Sequence, residues 1–357
     1  MTVADPSRRV NVFVPTLAPS DAVSDQARHR VRLLREWGHD AELVAERWHP
    51  ACAAEVLPLP YALGRRGDAA WLVHHSIWTE GLADVVRAGG RPRALTYHNI
   101  TPYELLPAGP VADLCRRARE ELPRLARVGW DLVTADSTYN AEELDAAGFG
   151  SVEVVPLLLP RGRPVPDVSR GDGILFVGRL APSKGLDDLI KAVALLRLRH
   201  RPQTTLDIVG SGAGWGGFVA GLEDLAERIG CGGITFRGPV SDAERDALYA
   251  RAGAVCLMSR HEGFCAPLVE AMRAGAPVVA RDAGAVAETL GGGGVLLPDG
   301  DPRLAAEALD ALLGDAGLRE RLRGGAAEAV ARVEPEVVER RLRATIGGML
   351  GQRVTAG

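Results

Sequence analysis

Two cations lie on one short loop in the segment FVGRLAPSKGLDDLI (176–190). The pattern predicts a strand that ends at Gly178, a loop with Arg179 and Lys184, and a helix from about Gly185. Backbone N–H groups and the helix dipole favour negative charge at a helix N-terminus, so the loop predicts an anion site. Lys184 is one of only two lysines among 42 lysine and arginine residues, which favours this interpretation over two solvated surface cations.

Two glutamates lie eight positions apart in SRHEGFCAPLVEAMRAG (259–275): Glu262 precedes a predicted helix and Glu270 lies within it. Pro267 suits the first helical turn because it has no N–H, and Gly275 ends the helix. A loop carboxylate can accept hydrogen bonds from sugar hydroxyls, and a helical one can bind a ribose diol. Glu270 shares its helix with apolar residues, so a partner or a ligand is expected for a carboxylate that would be costly to bury alone.

Three histidines stand at the ends of two predicted strands. His74 and His75 end one strand, and His98 ends the next, followed by Asn99 in a polar turn. Side chains at the carboxyl ends of parallel strands face the usual ligand edge of the sheet. A structural role is the ordinary alternative for each. His74 and His75 point to opposite faces of their strand, so no zinc site is expected.

A glycine-rich loop offers a competing interpretation. Gly212, Gly214 and Gly217 fit G-x-G-x-x-G in VGSGAGWGGF. A dinucleotide fingerprint calls for an acidic residue about 20 positions later, where this chain has Arg237, which could suit a 2′-phosphate instead. The preceding strand opens neither predicted domain, so a loop that approaches a ligand is expected, with an NADP-dependent oxidoreductase as the alternative.

The elements that position these residues follow from the composition and the apolar pattern. The chain has 357 residues, of which 46% are hydrophobic and 25% charged, as in ordinary globular proteins. Short apolar runs alternate with longer amphipathic stretches, the pattern of βαβ units. The predicted fold is α/β, with two doubly wound Rossmann-like domains facing a central cleft. The predicted strands of the first domain are 9–15, 40–46, 69–76, 93–99, 131–137 and 151–156.

The segment 160–173 is rich in proline and glycine and is predicted to be the interdomain linker. The predicted domains are residues 1–165 and 166–335. The C-terminal helix 336–357 is expected to pack back on the N-terminal domain.

Bulk properties exclude several classes of function. A net charge of -4 gives no basic field for nucleic acid. Five cysteines without CxxC spacing fit a reducing cytoplasm. The N-terminal segment is unlike a secretion signal, and no run reaches about 18 apolar residues. We therefore expect a cytoplasmic protein without membrane association, and no oligomeric state is predicted.

Four segments resemble the C-terminal domain of the family 4 glycosyltransferases: FVGRLAPSKGLDDLI, LDIVGSG, FRGPVSDAERDALYARA and MSRHEGFCAPLVEAMRAGAPVVARDAGAVAETL. These are retaining, nucleotide-sugar-dependent enzymes with the GT-B fold. The Glu262 and Glu270 spacing matches their E-x7-E motif. The first half resembles a bacterial branch of the family more loosely, through DAVSDQ, LVHHS, TYHNITP and TADSTYNAEEL.

The resemblance implies roles for individual residues. Arg179 and Lys184 would bind the donor pyrophosphate and stabilise the leaving nucleoside diphosphate. Glu262 would hold sugar hydroxyls, Glu270 the ribose, and His98 would touch the donor sugar beside the anomeric carbon. The other implied donor contacts are Gly178, Gly210, Val240, Gly263, Phe264, Cys265 and Ala266. The predicted acceptor-side residues are Asp21, His75, Trp78 and Asn99.

The resemblance also implies a reaction. A hexose-type sugar would move from a nucleoside-diphosphate sugar to a hydroxyl, or another nucleophile, of an acceptor. Since the sequence gives little support for a polybasic membrane patch, we expect a small soluble acceptor, such as an aminocyclitol or another natural-product core, rather than a lipid. Residues 1–165 would be the acceptor-side domain and residues 166–335 the donor-binding domain. Transfer would be a front-side displacement without a metal or other cofactor. A non-catalytic two-lobed nucleotide-sugar-binding protein and a nucleotide-sugar epimerase are the further alternatives.

The chain departs from the family at three places. PTLAPSDAVSD stands where many members have a Gly-Gly loop, and VVPLLLP stands where many have PNGVD. Cys265 replaces a common glycine, and its side chain would either narrow the sugar pocket or point away.

Overall fold

The computed structural model describes residues 9–19, 21–65, 68–162 and 169–351, which form two compact units. Unit 1 comprises the described residues up to Glu104, Ala108–Leu158 and those from Pro335 onward. Unit 2 comprises Leu105–Pro107 and Leu159–Glu334. The change between the units thus falls just before the predicted linker, and residues 163–168 of that linker lie outside the described residues.

Unit 1 contains seven parallel strands in the order β3-β2-β1-β4-β5-β6-β7. The central strands β4 and β5 are buried throughout, as expected for a parallel sheet that is covered on both faces. The strands are β1 Arg9–Leu17, β2 Asp40–Trp48, β3 Leu57–Pro58, β4 Ala70–His75, β5 Arg93–Tyr97, β6 Leu132–Ala135 and β7 Glu153–Val154.

Helices cover both faces of this sheet in the order of a doubly wound fold. The first helix is capped by Asp21, whose carboxylate accepts a hydrogen bond from the Ser24 N–H at 2.9 Å. It ends before Gly38, whose φ of 91° is the left-handed conformation that commonly follows a helix. The helices are α1 Ala22–Glu36, α2 Leu59–Gly64, α3 Glu80–Ala88, α4 Pro110–Leu125, α5 Thr138–Ala146 and, after unit 2 in the chain, α13 Pro335–Leu342.

Helix α13 and the π-helical turn Arg343–Gly347 belong to the core of unit 1. Val338, Leu342 and Ile346 are buried in one hydrophobic cluster with residues of β1 and α1. The last segment of the described chain therefore completes the core that the first segment begins.

Unit 2 contains six parallel strands in the order β10-β9-β8-β11-β12-β13. The strands are β8 Ile174–Val177, β9 Leu206–Val209, β10 Ile234–Gly238, β11 Ala254–Leu257, β12 Val278–Arg281 and β13 Val295–Leu297. The helices are α6 Leu186–Arg199, α7 Gly216–Ile229, α8 Asp242–Arg251, α9 Ala266–Arg273, α10 Val286–Leu290, α11 Pro302–Gly314 and α12 Ala316–Ala331.

The prediction of two doubly wound α/β domains is confirmed. The two sheets have the same order, and the chain reverses direction across the sheet between β1 and β4 in unit 1 and between β8 and β11 in unit 2. Such reversal points leave a crevice at the carboxyl ends of the strands, where open α/β sheets bind ligands. In the described part of the chain, no helix is long and apolar enough to cross a membrane.

Candidate functional site

Lys184 and Glu262 meet at the reversal point of unit 2. Lys184 lies in the turn after β8, and Glu262 lies in the loop after β11. The Lys184 Nζ is 2.6 Å from Glu262 Oε1, and the two side chains are 21% and 11% exposed. An ion pair this short is a charge-assisted hydrogen bond, and the ammonium keeps two further N–H groups for a ligand. The pair unites the two segments that the sequence singled out.

Arg260 holds the Lys184 loop in place. Its Nη2 donates to Asp187 Oδ1 at 2.7 Å and to Asp188 Oδ2 at 2.9 Å. Its backbone N–H donates to the Ser183 carbonyl at 2.7 Å. The loops after β8 and β11 are therefore joined by side-chain and main-chain bonds, so the geometry of the Lys184 and Glu262 pair is fixed before any ligand binds.

Two glycines allow the backbone of this region to approach closely. Gly185 has φ +63°, and a β-carbon there would lie 2.0 Å from the Met258 carbonyl oxygen. Gly210, at the end of β9, has φ +141°, and a β-carbon would lie 1.8 Å from the carbonyl oxygen of Gly178. No other residue fits either position without moving the main chain.

Arg179 differs from Lys184 in having an exposed side chain. Within the described residues its guanidinium has neither a hydrogen bond nor an ion pair to the protein. Of the two cations predicted to bind the pyrophosphate, Lys184 is held by an ion pair, whereas the exposed Arg179 is free to reach a ligand.

The start of α9 carries an unusual residue, Cys265. It has φ +70°, is 4% exposed and provides no side-chain cap for the helix. Its thiol lies beside the Glu262 carboxylate and Lys184, and burial raises the pKa of the Cys265 thiol well above its usual range. The thiol therefore stays protonated and borders the charged pair. The other predicted donor contacts near this helix are placed as follows. Gly263 follows Glu262 in the same loop, and Ala266 is the first residue of α9. The Phe264 carbonyl accepts a hydrogen bond from the Thr289 hydroxyl, and Val240 is half-buried against the core of unit 2.

Glu270 lies on α9 and has the partner that its apolar surroundings demand. The buried Tyr249 of α8 donates its hydroxyl to Glu270 Oε2 at 2.9 Å, and Arg245 lies 3.8 Å from Oε1. Burial raises the pKa of Glu270, while Arg245 and the tyrosine bond act in the opposite direction. A quarter of the Glu270 side chain is exposed, so the carboxylate remains accessible to a ligand.

We expect Tyr249→Phe to weaken nucleotide binding and to make that binding more sensitive to acid. The substitution removes a bond that lowers the pKa of Glu270, so the carboxylate protonates at higher pH and, in the ribose-binding role that the resemblance implies, would act over a narrower pH range. Titration calorimetry with UDP from pH 5 to 8 should show the acid limb of affinity moved upward. An unchanged pH profile would contradict this coupling.

Unit 1 has a buried chain of hydrogen bonds among Asp136, His98 and His74. His98 Nδ1 lies 2.8 Å from Asp136 Oδ2, and His98 Nε2 lies 2.6 Å from His74 Nδ1. The two imidazoles lie edge to edge and nearly in one plane, with ring centroids 4.9 Å apart and planes 10° apart. The His98 side chain is only 2% exposed, so both nitrogens of the residue predicted to touch the donor sugar are engaged within unit 1.

Three of the four predicted acceptor-side residues have structural partners. Asp21 caps α1, and Asn99, with φ 65°, donates to Asn140 Oδ1 at 2.8 Å. The ring of Trp78 is covered by the guanidinium of Arg117, 3.3 Å from the ring centroid. His75, the fourth, is fully buried, and burial lowers its pKa to about 4. Their roles toward an acceptor stay predictions.

Arg237 is not free to bind a 2′-phosphate. Its Nε donates to Asp207 Oδ1 at 2.8 Å, across the pairing of β10 and β9. The glycine-rich loop after β9 leads into α7, but the residue that favoured the oxidoreductase interpretation is paired with a carboxylate. The geometry therefore gives no support to NADP.

The sequence did not single out Tyr249, Asp136 and Arg260. Asp136 follows β6 directly, so the rule that identified His98 at a strand end could have identified it. Tyr249 lies within a helix and is recognisable only once α8 and α9 are packed together. Arg260 lies two residues before Glu262 in the sequence, but its side chain bonds to Asp187, which follows the Lys184 turn.

The fold is shared with solved GT-B glycosyltransferases. The Anabaena protein HepE, solved in complex with UDP and glucose, matches with a TM-score of 0.77 at 20% identity, covering 96% of this chain and 100% of that one. At this identity the likeness establishes the fold alone.

Residues 168–329 match the family model described as Glycosyl transferases group 1. The match covers most of unit 2, so the family resemblance is shown for that unit. D-inositol 3-phosphate glycosyltransferase of Jonesia denitrificans is 39% identical over 164 residues, which are 44% of this chain and 38% of that protein. The protein of the same name from Arthrobacter sp. strain FB24 is 31% identical over 267 residues, which are 70% of this chain and 63% of that protein. The matches thus span less than two thirds of either relative.

Proposed function

We propose that this protein is a retaining glycosyltransferase that moves a hexose-type sugar from a nucleoside-diphosphate sugar to a hydroxyl of a cyclitol-type acceptor. The observation that carries the proposal is the bond between Lys184 and Glu262 at the reversal point of unit 2. One side chain offers positive charge to a leaving diphosphate, and the other offers an acceptor for sugar hydroxyls. The match of the same unit to Glycosyl transferases group 1 supports this assignment.

The donor is assigned to unit 2 with each group in a separate role. Lys184 and Arg179 bind the pyrophosphate, and Glu262 accepts hydrogen bonds from the sugar. Glu270, steadied by Tyr249, accepts hydrogen bonds from the ribose. A uridine nucleotide is the first choice, because the solved neighbour HepE is described in complex with UDP and glucose.

The reaction we propose is a front-side displacement. The acceptor oxygen forms a bond to the anomeric carbon while the bond from that carbon to the β-phosphate oxygen breaks and leaves its electron pair on the phosphate. The acceptor proton passes to the same phosphate oxygen, so no enzyme nucleophile is needed. Fixed cations stabilise the charge that develops on the leaving group, which is the main assistance available.

The acceptor class rests on the names of the relatives. Both relatives described above are called D-inositol 3-phosphate glycosyltransferases, which favours a phosphorylated or free cyclitol over an unrelated natural-product core. The acceptor class proposed here is therefore narrower than the small soluble molecule expected from the sequence: it is a cyclitol, free or phosphorylated.

Thermal shift and turnover test the proposal together. UDP, GDP, ADP and dTDP, each with the matching glucose conjugate, should be compared for stabilisation, since binding to the folded state raises apparent stability. We expect one nucleotide to stabilise clearly and NADPH to have no effect. The selected donor is then incubated with myo-inositol, inositol phosphate or phosphatidylinositol vesicles, and the anomeric configuration of the product is read by proton NMR.

Each outcome has a defined meaning. Retention at the anomeric carbon with a cyclitol supports the whole proposal, and inversion refutes the retaining mechanism. Transfer only to the vesicles refutes the soluble acceptor. Nucleotide binding without hydrolysis or transfer favours a non-catalytic binding protein, and release of an epimerised nucleotide sugar favours an epimerase.

A further inference from the structure

The buried histidine pair of unit 1 has a feature that the proposed function does not use. His74 is 1% exposed, stands at the carboxyl end of β4 and points its Nδ1 at the Nε2 of His98, 2.6 Å away. A structural histidine would satisfy its own hydrogen bonds. His74 instead leaves its other nitrogen, Nε2, without a partner among the described residues and uses Nδ1 solely to contact His98.

The strand register brings these groups to one level. His74 pairs with Thr96 and His75 with Tyr97, so His98 begins one residue beyond the paired strands. The His98 N–H still donates to the His75 carbonyl at 3.0 Å, which extends the ladder past the end of β5. Asp136 likewise follows the last paired residue of β6. Three adjacent strands therefore deliver the three side chains to the same edge.

The proton positions follow from the chemistry of the partners. A carboxylate oxygen accepts, so His98 Nδ1 donates to Asp136, and in a neutral imidazole the other nitrogen, Nε2, then presents a lone pair. The hydrogen bond between the rings then needs the N–H of His74 Nδ1. Burial lowers the pKa of His74 well below its ordinary value, which agrees with a neutral imidazole that donates through Nδ1.

The titratable groups around the Asp136–His98–His74 hydrogen bonds come from several elements. Asp136 follows β6, His75 lies beside His74 on β4, and Arg30 comes from α1. Arg30 is 3% exposed, and its Nε and Nη1 have no partner among the described residues. Its charge adds to the effect of burial in lowering the pKa of His74, so it favours a neutral His74.

We propose that His74 is a positioning residue that donates Nδ1–H to His98 Nε2 and, together with Asp136, holds the His98 imidazole in one tautomer and one orientation. The inference rests on the proposed function only where sugar transfer needs His98 beside the donor sugar, the role that the family resemblance implies. His74 itself contacts no substrate. Its effect on the reaction runs through the fixed His98 and the main chain that continues into Asn99.

Nitrogen NMR tests the hydrogen bond without any reliance on turnover. In protein labelled with ¹⁵N-histidine, we expect His74 and His98 both to be Nδ1–H tautomers, with a scalar coupling between His74 Nδ1 and His98 Nε2. Only eight histidines are present, and single substitutions assign them. A His74 Nε2–H tautomer, or two uncoupled imidazoles, would overturn the proposal.

Two substitutions then test the function of that bond. His74→Phe keeps an aromatic ring at this position but has no N–H, whereas His74→Asn places an amide N–H near the original Nδ1. We expect His74→Phe to lower kcat about 10- to 100-fold, by analogy with the loss found when the partner that orients a metal-bound histidine is removed, with little change in the donor KM. His74→Asn should recover most of the loss.

The control is His39→Phe, at another buried histidine of unit 1, which lies just before β2 at the opposite end of the strands. It should keep wild-type kcat if burial of a phenylalanine alone is harmless. Equal activity of His74→Phe and wild type, or equal losses in His74→Phe and His74→Asn with both folded, would refute the positioning role. If wild type itself shows no transfer or hydrolysis, the proposed function fails, while the NMR result still decides the hydrogen bond.

Discussion

Lys184→Ala is expected to lower the kcat of sugar transfer roughly 100- to 1000-fold, the loss typical when one fixed group that stabilises transition-state charge is removed. Nucleotide affinity should fall less than kcat, because charge on the leaving diphosphate grows as the glycosidic bond breaks. The substitution also leaves the Glu262 carboxylate, 11% exposed, without its 2.6 Å ammonium partner. Steady-state assays of donor hydrolysis and transfer measure the effect.

The matched control is Lys191→Ala, which removes the only other lysine. Its side chain is 43% exposed and lies 3.7 Å from Asp187 and 3.5 Å from Asp188. Exposed pairs of this kind contribute little, so kcat and melting temperature should stay near wild type. Equal activity of Lys184→Ala and Lys191→Ala would rule out a role for Lys184 in the reaction.

Lys184→Arg separates charge from shape. The guanidinium keeps the positive charge but is larger and planar. It therefore does not fit the space in which the Lys184 ammonium lies 2.6 Å from Glu262. We expect a clear loss of turnover that is smaller than the alanine loss. A fully active arginine variant would show that any cation suffices in this turn.

The second large effect is structural. Gly185→Ala should destabilise unit 2 by roughly 2–5 kcal/mol, because a left-handed backbone costs an ordinary residue about 1–2 kcal/mol and overpacking adds about 1–3 kcal/mol. The added β-carbon would lie 2.0 Å from the Met258 carbonyl oxygen, a main-chain atom that cannot rotate away. Calorimetry should show the unfolding of unit 2 about 4–20 °C lower, since each kcal/mol moves a unit of this size about 2–4 °C.

Gly217→Ala is the control for this substitution. Gly217 lies in α7, and nothing comes within 4 Å of a β-carbon built there. Alanine has the higher helix propensity, so stability should be unchanged or up to about 1 kcal/mol higher. If both variants melt at the wild-type temperature, the close approach between the turn after β8 and the end of β11 is absent in solution.

The main strands could be predicted because a parallel strand covered on both faces reads as an unbroken apolar run. β4 and β8 contain such runs, β1 and β5 are mostly apolar, and the positions of all four agree with the sequence prediction to within a few residues. The strand expected over 151–156 is only Glu153–Val154, and β3 was not anticipated. β3 has two residues, one of them a proline at the sheet edge, so it has neither the length nor the alternation that marks a strand.

The sequence identified the loops that form the predicted donor site, but not the side-chain contacts between those loops. Strand-end position placed Lys184 and Glu262 at one edge, since carboxyl ends of neighbouring parallel strands meet there. Their direct bond depends on side-chain conformations that no spacing encodes. The bond from Tyr249 to Glu270 depends on how α8 packs on α9, which is a tertiary property. The burial of both His98 nitrogens likewise became visible only with β4, β5 and β6 side by side.

The return of α13 to unit 1 has a consequence for synthesis on the ribosome. Domains generally fold as units from the N-terminal end while the chain is made. Here every residue of unit 2 precedes Pro335, whereas the core of unit 1 still lacks Val338, Leu342 and Ile346 at that moment. The unit that starts first is therefore finished last. The apolar surfaces of β1 and α1 therefore stay uncovered until α13 is made, when all of unit 2 has already been synthesised.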